Sequence, residues 1–279
     1  MIELGGRTAV VTGAAAGIGR ALVERLAAEG MNVVAADHDE PALAAVEREL
    51  RKRGARVLAV PTDVSSGAAV EELAARATRE FGALHLAVNN AGVAGRGGPV
   101  WTLSENDWAW VLSVNLWGVI HGVRAFVPRL LEHGDEAHVV NVASIAGLHA
   151  PAWMAPYATS KHAVVALSEV LARDLAAVES RVRVSVACPG AVRTRFVEDA
   201  ERHRPERFRD LTRPKRPPLP PSLAGADEDR YIEPAEVAEQ IIQAVREERF
   251  WVLTHPELAP LARERADDVA HGRRPRVGR

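Results

Sequence analysis

Tyr157 and Lys161 stand four residues apart at the start of a helical pattern, so both project from one helix face and can meet one substrate. A phenol has a pKa of about 10, which leaves roughly one molecule in a thousand ionised at neutral pH. A neighbouring ammonium favours the phenolate, and Lys161 can supply that charge, making the tyrosine a usable acid or base. The same spacing also occurs on helices that do no chemistry, so the pair gains meaning only beside a second site.

The segment TGAAAGIG, from Thr12 to Gly19, offers one: it closes an apolar strand pattern and opens directly into a helix. Gly13 permits the tight turn, Gly17 lets the backbone approach a pyrophosphate, and Gly19 allows close helix packing. Ile18 counts with them among the cofactor contacts, and the helix N-terminus faces the anion. A glycine-rich turn without a ligand is the competing reading. No GK[ST] follows, which excludes a P-loop. Asp37 stands just past the second strand pattern, in register to take the adenosine ribose hydroxyls, and its carboxylate would repel a 2′-phosphate. No arginine follows it immediately, and Ala16 stands at a glycine-loop position where phosphate-selective relatives often carry a base, so NAD is expected over NADP. Taken alone, Asp37 could equally be an exposed strand-end acid.

These groups must be positioned by a regular scaffold. Strand patterns at residues 8–12, 32–36, 56–61, 84–89, 138–143 and 183–187, with a late one at 250–253, alternate with helical spacing at 17–29, 41–53, 68–81, 105–132 and 157–178. Several strands are almost wholly apolar, as strands buried on both faces are. The expected fold is α/β: a Rossmann-like, doubly wound, parallel seven-stranded sheet with helices on both faces, in one domain over residues 1–255. Residues 193–230 break the rhythm, with six of the chain's 17 prolines between Pro205 and Pro221. They read as a substrate lid, with a loose surface loop as the alternative. Its PPLPP stretch could also serve as a polyproline ligand. Residues 256–279 read as a C-terminal tail, fraying at the basic HGRRPRVGR end.

Five motifs in order, TGAAAGIG, Asp63-Val64, NNAG from Asn89, Ser144 with YATSK from Tyr157, and PGAVRT from Pro189, resemble those of the short-chain dehydrogenases/reductases in their compact single-domain form. The resemblance covers about residues 5–195 and resumes loosely at 231–253. It implies that Tyr157 is the acid/base and that Ser144 hydrogen-bonds the reacting oxygen. Lys161 would hold the nicotinamide ribose and tune Tyr157, and Asn115 would hold a water linking Lys161 to solvent. Asp63 and Val64 would receive the adenine, and Asn90, Ala91 and Gly92 would line the adenosine side. Pro189, Gly190, Val192 and Thr194 would contact the nicotinamide carboxamide. The implied reaction interconverts a secondary alcohol and a ketone. Apart from the resemblance, the lid and Trp153 and Met154 between Ser144 and Tyr157, read as pocket wall with His149 and Phe196 as weaker candidates, suggest a fairly apolar small molecule. The resemblance also implies a homotetramer built on the two long helices, with a dimer as second choice.

Other classes fit less well. A net charge of −2 gives no broad footprint for nucleic acid or anionic lipid. The single cysteine, Cys188, excludes an intrachain disulfide framework and a Cys-rich zinc site, fits a reducing, cytoplasmic compartment, and reads as a small core residue. The start MIELGGRTAVV has neither the charged nor the long apolar region of a signal peptide. Residues 137–160, the longest stretch without Asp, Glu, Lys or Arg, are interrupted by Asn141, Ser144, His149, Pro151 and Pro156 and read as buried strand and loop, not membrane span. The histidines show no metal spacing; His38, His85, His121, His133 and His138 read as surface or strand-end residues, and no metal is expected. Trp101, Trp108, Trp110 and Trp117 read as core or subunit packing. A nucleotide-sensing protein on the same fold, an NADPH-dependent ketoreductase, and an isomerase or dehydratase that recycles its cofactor are the alternatives.

Overall fold

The computed structural model describes residues 3–210, 217–218 and 231–275. Seven parallel strands, β1 (Thr8–Thr12), β2 (Asn32–Asp37), β3 (Val57–Pro61), β4 (Leu86–Asn89), β5 (Ala137–Val142), β6 (Val182–Cys188) and β7 (Trp251–Leu253), form one sheet in the order β3-β2-β1-β4-β5-β6-β7. Helices α1 (Gly17–Ala28), α2 (Glu40–Lys52), α3 (Gly67–Phe81), α4 (Glu105–Leu112), α5 (Gly118–Glu132), α6 (Ala155–Ala177), α7 (Phe196–Arg202), α8 (Pro234–Arg246) and α9 (Ala259–Ala270) make the connections.

The period of two along each strand assigns the faces. Ala9 and Val11 of β1 pack with Leu22 and Leu26 of α1, Leu43 of α2 and Ile241 of α8. Val10, between them, packs with Leu73 of α3 and Phe126 of α5 on the opposite face, in a cluster that includes Leu171 of α6. Both faces are therefore dry, which is why the strands read as continuous apolar runs. Chain order reverses between β1 and β4. The segments leaving these neighbouring strands turn to opposite sides and open a crevice at their carboxyl ends.

Beyond helices α7 and α8, which the sequence reading did not mark, the structure departs from it in three places. The expected helix over 105–132 is interrupted by a π-helical turn at Ser113–Trp117, which carries Asn115 and widens the helix where that side chain turns into the protein. By length, and by a mean hydropathy of 1.3 over an 18-residue window, the run Glu105–Glu132 could cross a membrane, but half of that window is buried in this protein, where the run packs on α3, α6 and the sheet. His138 is not at a surface: it is fully buried in β5. Ser185 Oγ donates to the Arg249 carbonyl at 2.6 Å, so the 2.8 Å contact with His138 Nε2 is a histidine N–H donating to the hydroxyl. Burial holds the ring neutral, with its pKa pushed down to about 3. Finally, residues 256–270 of the expected tail form a short 3₁₀ turn and helix α9. Among the tryptophans, Trp110 is core, whereas Trp101 is 83% exposed.

Candidate active site

At the end of β1 the chain turns through Gly13, at φ +66°, and enters α1 at Gly17. A side chain at Gly19 would collide with the Gly13 carbonyl and the Asn90 amide, so only glycine lets α1 start this close to the turn. Asn90 Nδ2 donates to the carbonyls of Thr12 at 2.8 Å and Gly13 at 3.2 Å. Thr12 Oγ1 accepts from the backbone N–H groups of Asn90 at 3.0 Å and Ala91 at 3.1 Å. The turns after β1 and β4 are thus sewn together at the switch point, and Gly13, Gly17, Ile18, Gly19, Asn90, Ala91 and Gly92 fall on one rim.

Asp37 closes β2 on that rim. Its Oδ2 accepts from Ala15 N at 3.0 Å, and its Oδ1 accepts from Asp39 N at 3.0 Å and lies 3.1 Å from His38 Nδ1. Burial would raise its pKa, but the hydrogen bonds from His38 and the two backbone N–H groups outweigh it and hold the carboxyl below its ordinary range. Asp37 is therefore a fixed carboxylate and not a solvated strand-end acid. Asp63 and Val64 follow β3; Val64 is buried and its carbonyl accepts from His121 Nδ1 at 2.9 Å. At the other end of the crevice a Cβ on Gly17 would lie 3.2 Å from Thr194 Cγ2, so Thr194 stands over the glycine turn. Pro189 accepts from Ile145 N at 2.9 Å, Gly190 N donates to His255 Nδ1 at 3.1 Å, and Val192 pairs with Ile232. This segment is held at the mouth of the crevice beside Ser144.

Ser144 follows β5. Its hydroxyl accepts from Ala146 N at 3.1 Å, donates to the Pro189 carbonyl at 3.4 Å, and stands on the phenol side of Tyr157. Tyr157 stands in the first turn of α6, and its ring meets Phe196 edge-on at 5.9 Å. Lys161, one turn later, is buried; its Nζ lies 5.6 Å from the Tyr157 ring centre and donates to the Val142 carbonyl at 2.8 Å. Burial brings its pKa down to about 8. Burial also pushes the Tyr157 phenol above its ordinary value, against the opposing effect of the Ser144 hydroxyl. Burial thus works against the phenolate, and the Lys161 ammonium has that cost to offset. Asn115, fully buried, accepts from Val93 N at 2.8 Å and donates to the Val93 carbonyl at 3.0 Å and to Ser160 Oγ at 3.2 Å. A Cβ on Gly92 would sit 3.4 Å from Asn115 Oδ1 and 3.6 Å from Lys161 Nζ, so these three converge behind the tyrosine. Cys188 is buried, its thiol pushed up to about 12 by burial.

Residues 7–205 match the family model described as short chain dehydrogenase. The chain belongs to the short-chain dehydrogenase family. It is 39% identical over 264 residues to 1-deoxy-11-beta-hydroxypentalenate dehydrogenase of Streptomyces exfoliatus, covering 94% of this chain and 88% of that one. It is 37% identical over 191 residues to 3beta-hydroxysteroid dehydrogenase 2 of Eggerthella lenta, covering 68% and 73%. A crystal structure of a short chain dehydrogenase/reductase from Burkholderia phymatum in complex with NAD is 45% identical, with a TM-score of 0.91 and coverage of 99% and 98%. As a short-chain dehydrogenase the chain is an oxidoreductase acting on alcohols.

Within this short-chain dehydrogenase, Trp153 and Met154 stand just before α6 and are tied to Gly98: Gly98 N donates to the Trp153 carbonyl at 2.8 Å, and Gly98 and Met154 form a β-bridge. The lid expectation over 193–230 falls partly on residues 211–216 and 219–230, which lie outside the described residues, as does the PPLPP stretch except for Pro217 and Pro218. The sequence reading missed Arg204, buried against Asp107, and His203 and Arg207, which touch the β2 and β3 ends. Only their position inside the expected lid pointed to them.

Proposed function

We propose that this chain is an NAD-dependent dehydrogenase that interconverts a secondary alcohol and a ketone on a fairly apolar small molecule. The observation that carries the reading is the convergence of Ser144 and the buried Lys161 on Tyr157, with Lys161 Nζ 5.6 Å from the ring centre, at the mouth of a crevice whose far end is closed by the fixed carboxylate of Asp37.

The cradle fits a dinucleotide: Gly13, Gly17, Ile18, Gly19, Asn90, Ala91 and Gly92 would line its backbone, with Asp37, Asp63 and Val64 at the adenosine end. Pro189, Gly190, Val192 and Thr194, together with Tyr157 and Lys161, would hold the nicotinamide half. When bound, the dinucleotide supplies hydride exchange with the carbon bearing the substrate oxygen. Ser144 and Tyr157 both reach that oxygen as hydrogen-bond donors. Because burial keeps Tyr157 protonated, it is set to give its proton to a ketone oxygen in reduction. In oxidation Tyr157 must start as the phenolate, whose negative charge the Lys161 ammonium offsets, and it becomes neutral as it takes the alcohol's proton. Asn115 fixes the turn behind Lys161, where a water would link that ammonium to solvent.

Asp37 supports NAD over NADP, because a 2′-phosphate would face a carboxylate that the protein keeps ionised. In a fluorescence titration, Asp37→Ala is expected to weaken NADH and strengthen NADPH by about tenfold each, equal to about 1.4 kcal/mol. NADPH binding at least as tight as NADH by the unaltered chain would overturn the assignment in favour of a ketoreductase; binding of neither would favour a non-catalytic role. The apolar substrate class rests on Phe196, Trp153 and Met154 near Tyr157 and on the relatives' names, a hydroxypentalenate and a hydroxysteroid dehydrogenase. Strong preference for small polar sugars would contradict it. A cytoplasmic homotetramer through α4–α5 and α6, with a dimer as second choice, completes the proposal.

A further inference from the structure

The chain leaving the nicotinamide end does not stay over the substrate. Helix α7 and residues 203–210 cross the crevice and reach the two strand ends where the adenosine half of a dinucleotide would lie. His203 Nδ1 is 3.0 Å from His38 Nε2, their rings edge-to-face at 5.1 Å, and His38 in turn contacts Asp37. Arg207 donates to Ser65 Oγ at 3.1 Å and lies 3.5 Å from Asp63 Oδ2. His38, Asp39, Arg202 and His203 share the wall of one open depression.

This arm is firmly anchored. Arg204 and Asp107 are fully buried side chains joined at 2.6 Å; Arg204 also donates to the Phe208 carbonyl at 2.8 Å and lies 5.2 Å over the Trp110 ring. Asp107 completes the cap of α4 by accepting from Ser104 N at 3.0 Å. Asp210 accepts from Ser104 Oγ and Asn106 Nδ2, each at 2.8 Å. Two charges removed from water are kept only when paired this well, and removing one leaves the other stranded. By contrast the Arg207–Asp63 pair is half-exposed, and such pairs contribute little to stability. A buried anchor that delivers an exposed cation and an imidazole to one spot is an arrangement for holding something at that spot.

We propose that His203 and Arg207 are cofactor-binding residues: the lid supplies the outer wall of the adenosine site, and Arg204 is the positioning residue that sets it. The guanidinium of Arg207 is planar and weakly hydrated, suited to lie on an adenine face, while His203 and His38 close the ribose side above Asp37. One segment thereby touches both ends of the crevice, from Phe196 at Tyr157 to Arg207 at Asp63. The inference rests on the dinucleotide reading above.

The test compares NADH with reduced nicotinamide mononucleotide, which lacks the adenosine half, by fluorescence titration and stopped-flow displacement. Arg207→Ala and His203→Ala are each expected to weaken NADH by about tenfold, mainly through faster dissociation, and to leave the mononucleotide and the melting temperature unchanged. Arg204→Met is expected to weaken NADH similarly, with little added loss when combined with Arg207→Ala, since it acts through that residue. Unchanged NADH binding in both alanine variants would overturn the proposal, as would tighter binding, which would make the arm a plug, or equal losses for the mononucleotide. Failure of the unaltered chain to bind NADH would instead overturn the dinucleotide reading, and the clamp with it.

Discussion

Tyr157→Phe is expected to lower kcat by about three orders of magnitude, in the upper part of the 10²–10⁴ range that a positioned acid or base contributes, a loss far larger than its effect on NADH affinity. The substitution deletes one oxygen, the only atom of the ring that can hold the transferred proton. It leaves the edge-on contact with Phe196 and the packing of α6 in place. Ser144 would still donate to the substrate oxygen, which accounts for a residual rate. The loss should appear equally in kcat and kcat/KM, as for an interaction made in the transition state. A rate within tenfold of the unaltered chain would move the proton transfer to another group.

Lys161→Met should have the second largest effect, and a different signature. A unit charge 5.6 Å from the Tyr157 ring centre is worth about 3 kcal/mol at an effective dielectric constant of about 20, or about two pH units on the phenol. Removing the cation raises a Tyr157 pKa that burial has already raised. Oxidation uses the deprotonated phenol, so its rate rises with pH, and in the variant that rise should move to higher pH by about two units. Reduction uses the protonated phenol and should keep its pH dependence at neutral pH while losing affinity for the cofactor. In the unaltered chain the ammonium itself is lost as pH climbs past about 8, so its help to the phenolate fades there. Matched pH profiles in both directions check this; superimposable oxidation profiles would contradict it.

Much of this was legible in the sequence because the signals are local. The turn at Gly13 and the close approach at Gly19 lie within one motif, and Tyr157 and Lys161 within one helical turn. Strands dry on both faces announce themselves by apolar runs. What was not legible depends on pairing across the chain. Arg204 meets Asp107 over a separation of 97 residues, and nothing in either neighbourhood marks them as buried partners. His138 read as a strand-end residue because a polar group in a dry strand is explained only by its mate, Ser185, on β6. The π-helical turn at Asn115 follows from the Val93 backbone it must reach, not from local propensity. Helix α9 was missed because its described residues bury no side chain fully, so its pattern carries no strong apolar stripe. The burial that raises the Tyr157 phenol is also a three-dimensional feature, which the spacing to Lys161 does not reveal.

The most direct test of the central claim is isotopic. The purified chain is incubated with NAD and apolar secondary alcohols deuterated at the carbon bearing the hydroxyl, and the cofactor is then examined by mass spectrometry. The account predicts deuterium in the reduced cofactor, formed together with ketone and reduced by about a thousandfold in rate in Tyr157→Phe. A chain that binds NADH tightly yet moves no deuterium from any such alcohol, or moves it as fast without the Tyr157 hydroxyl, would contradict it.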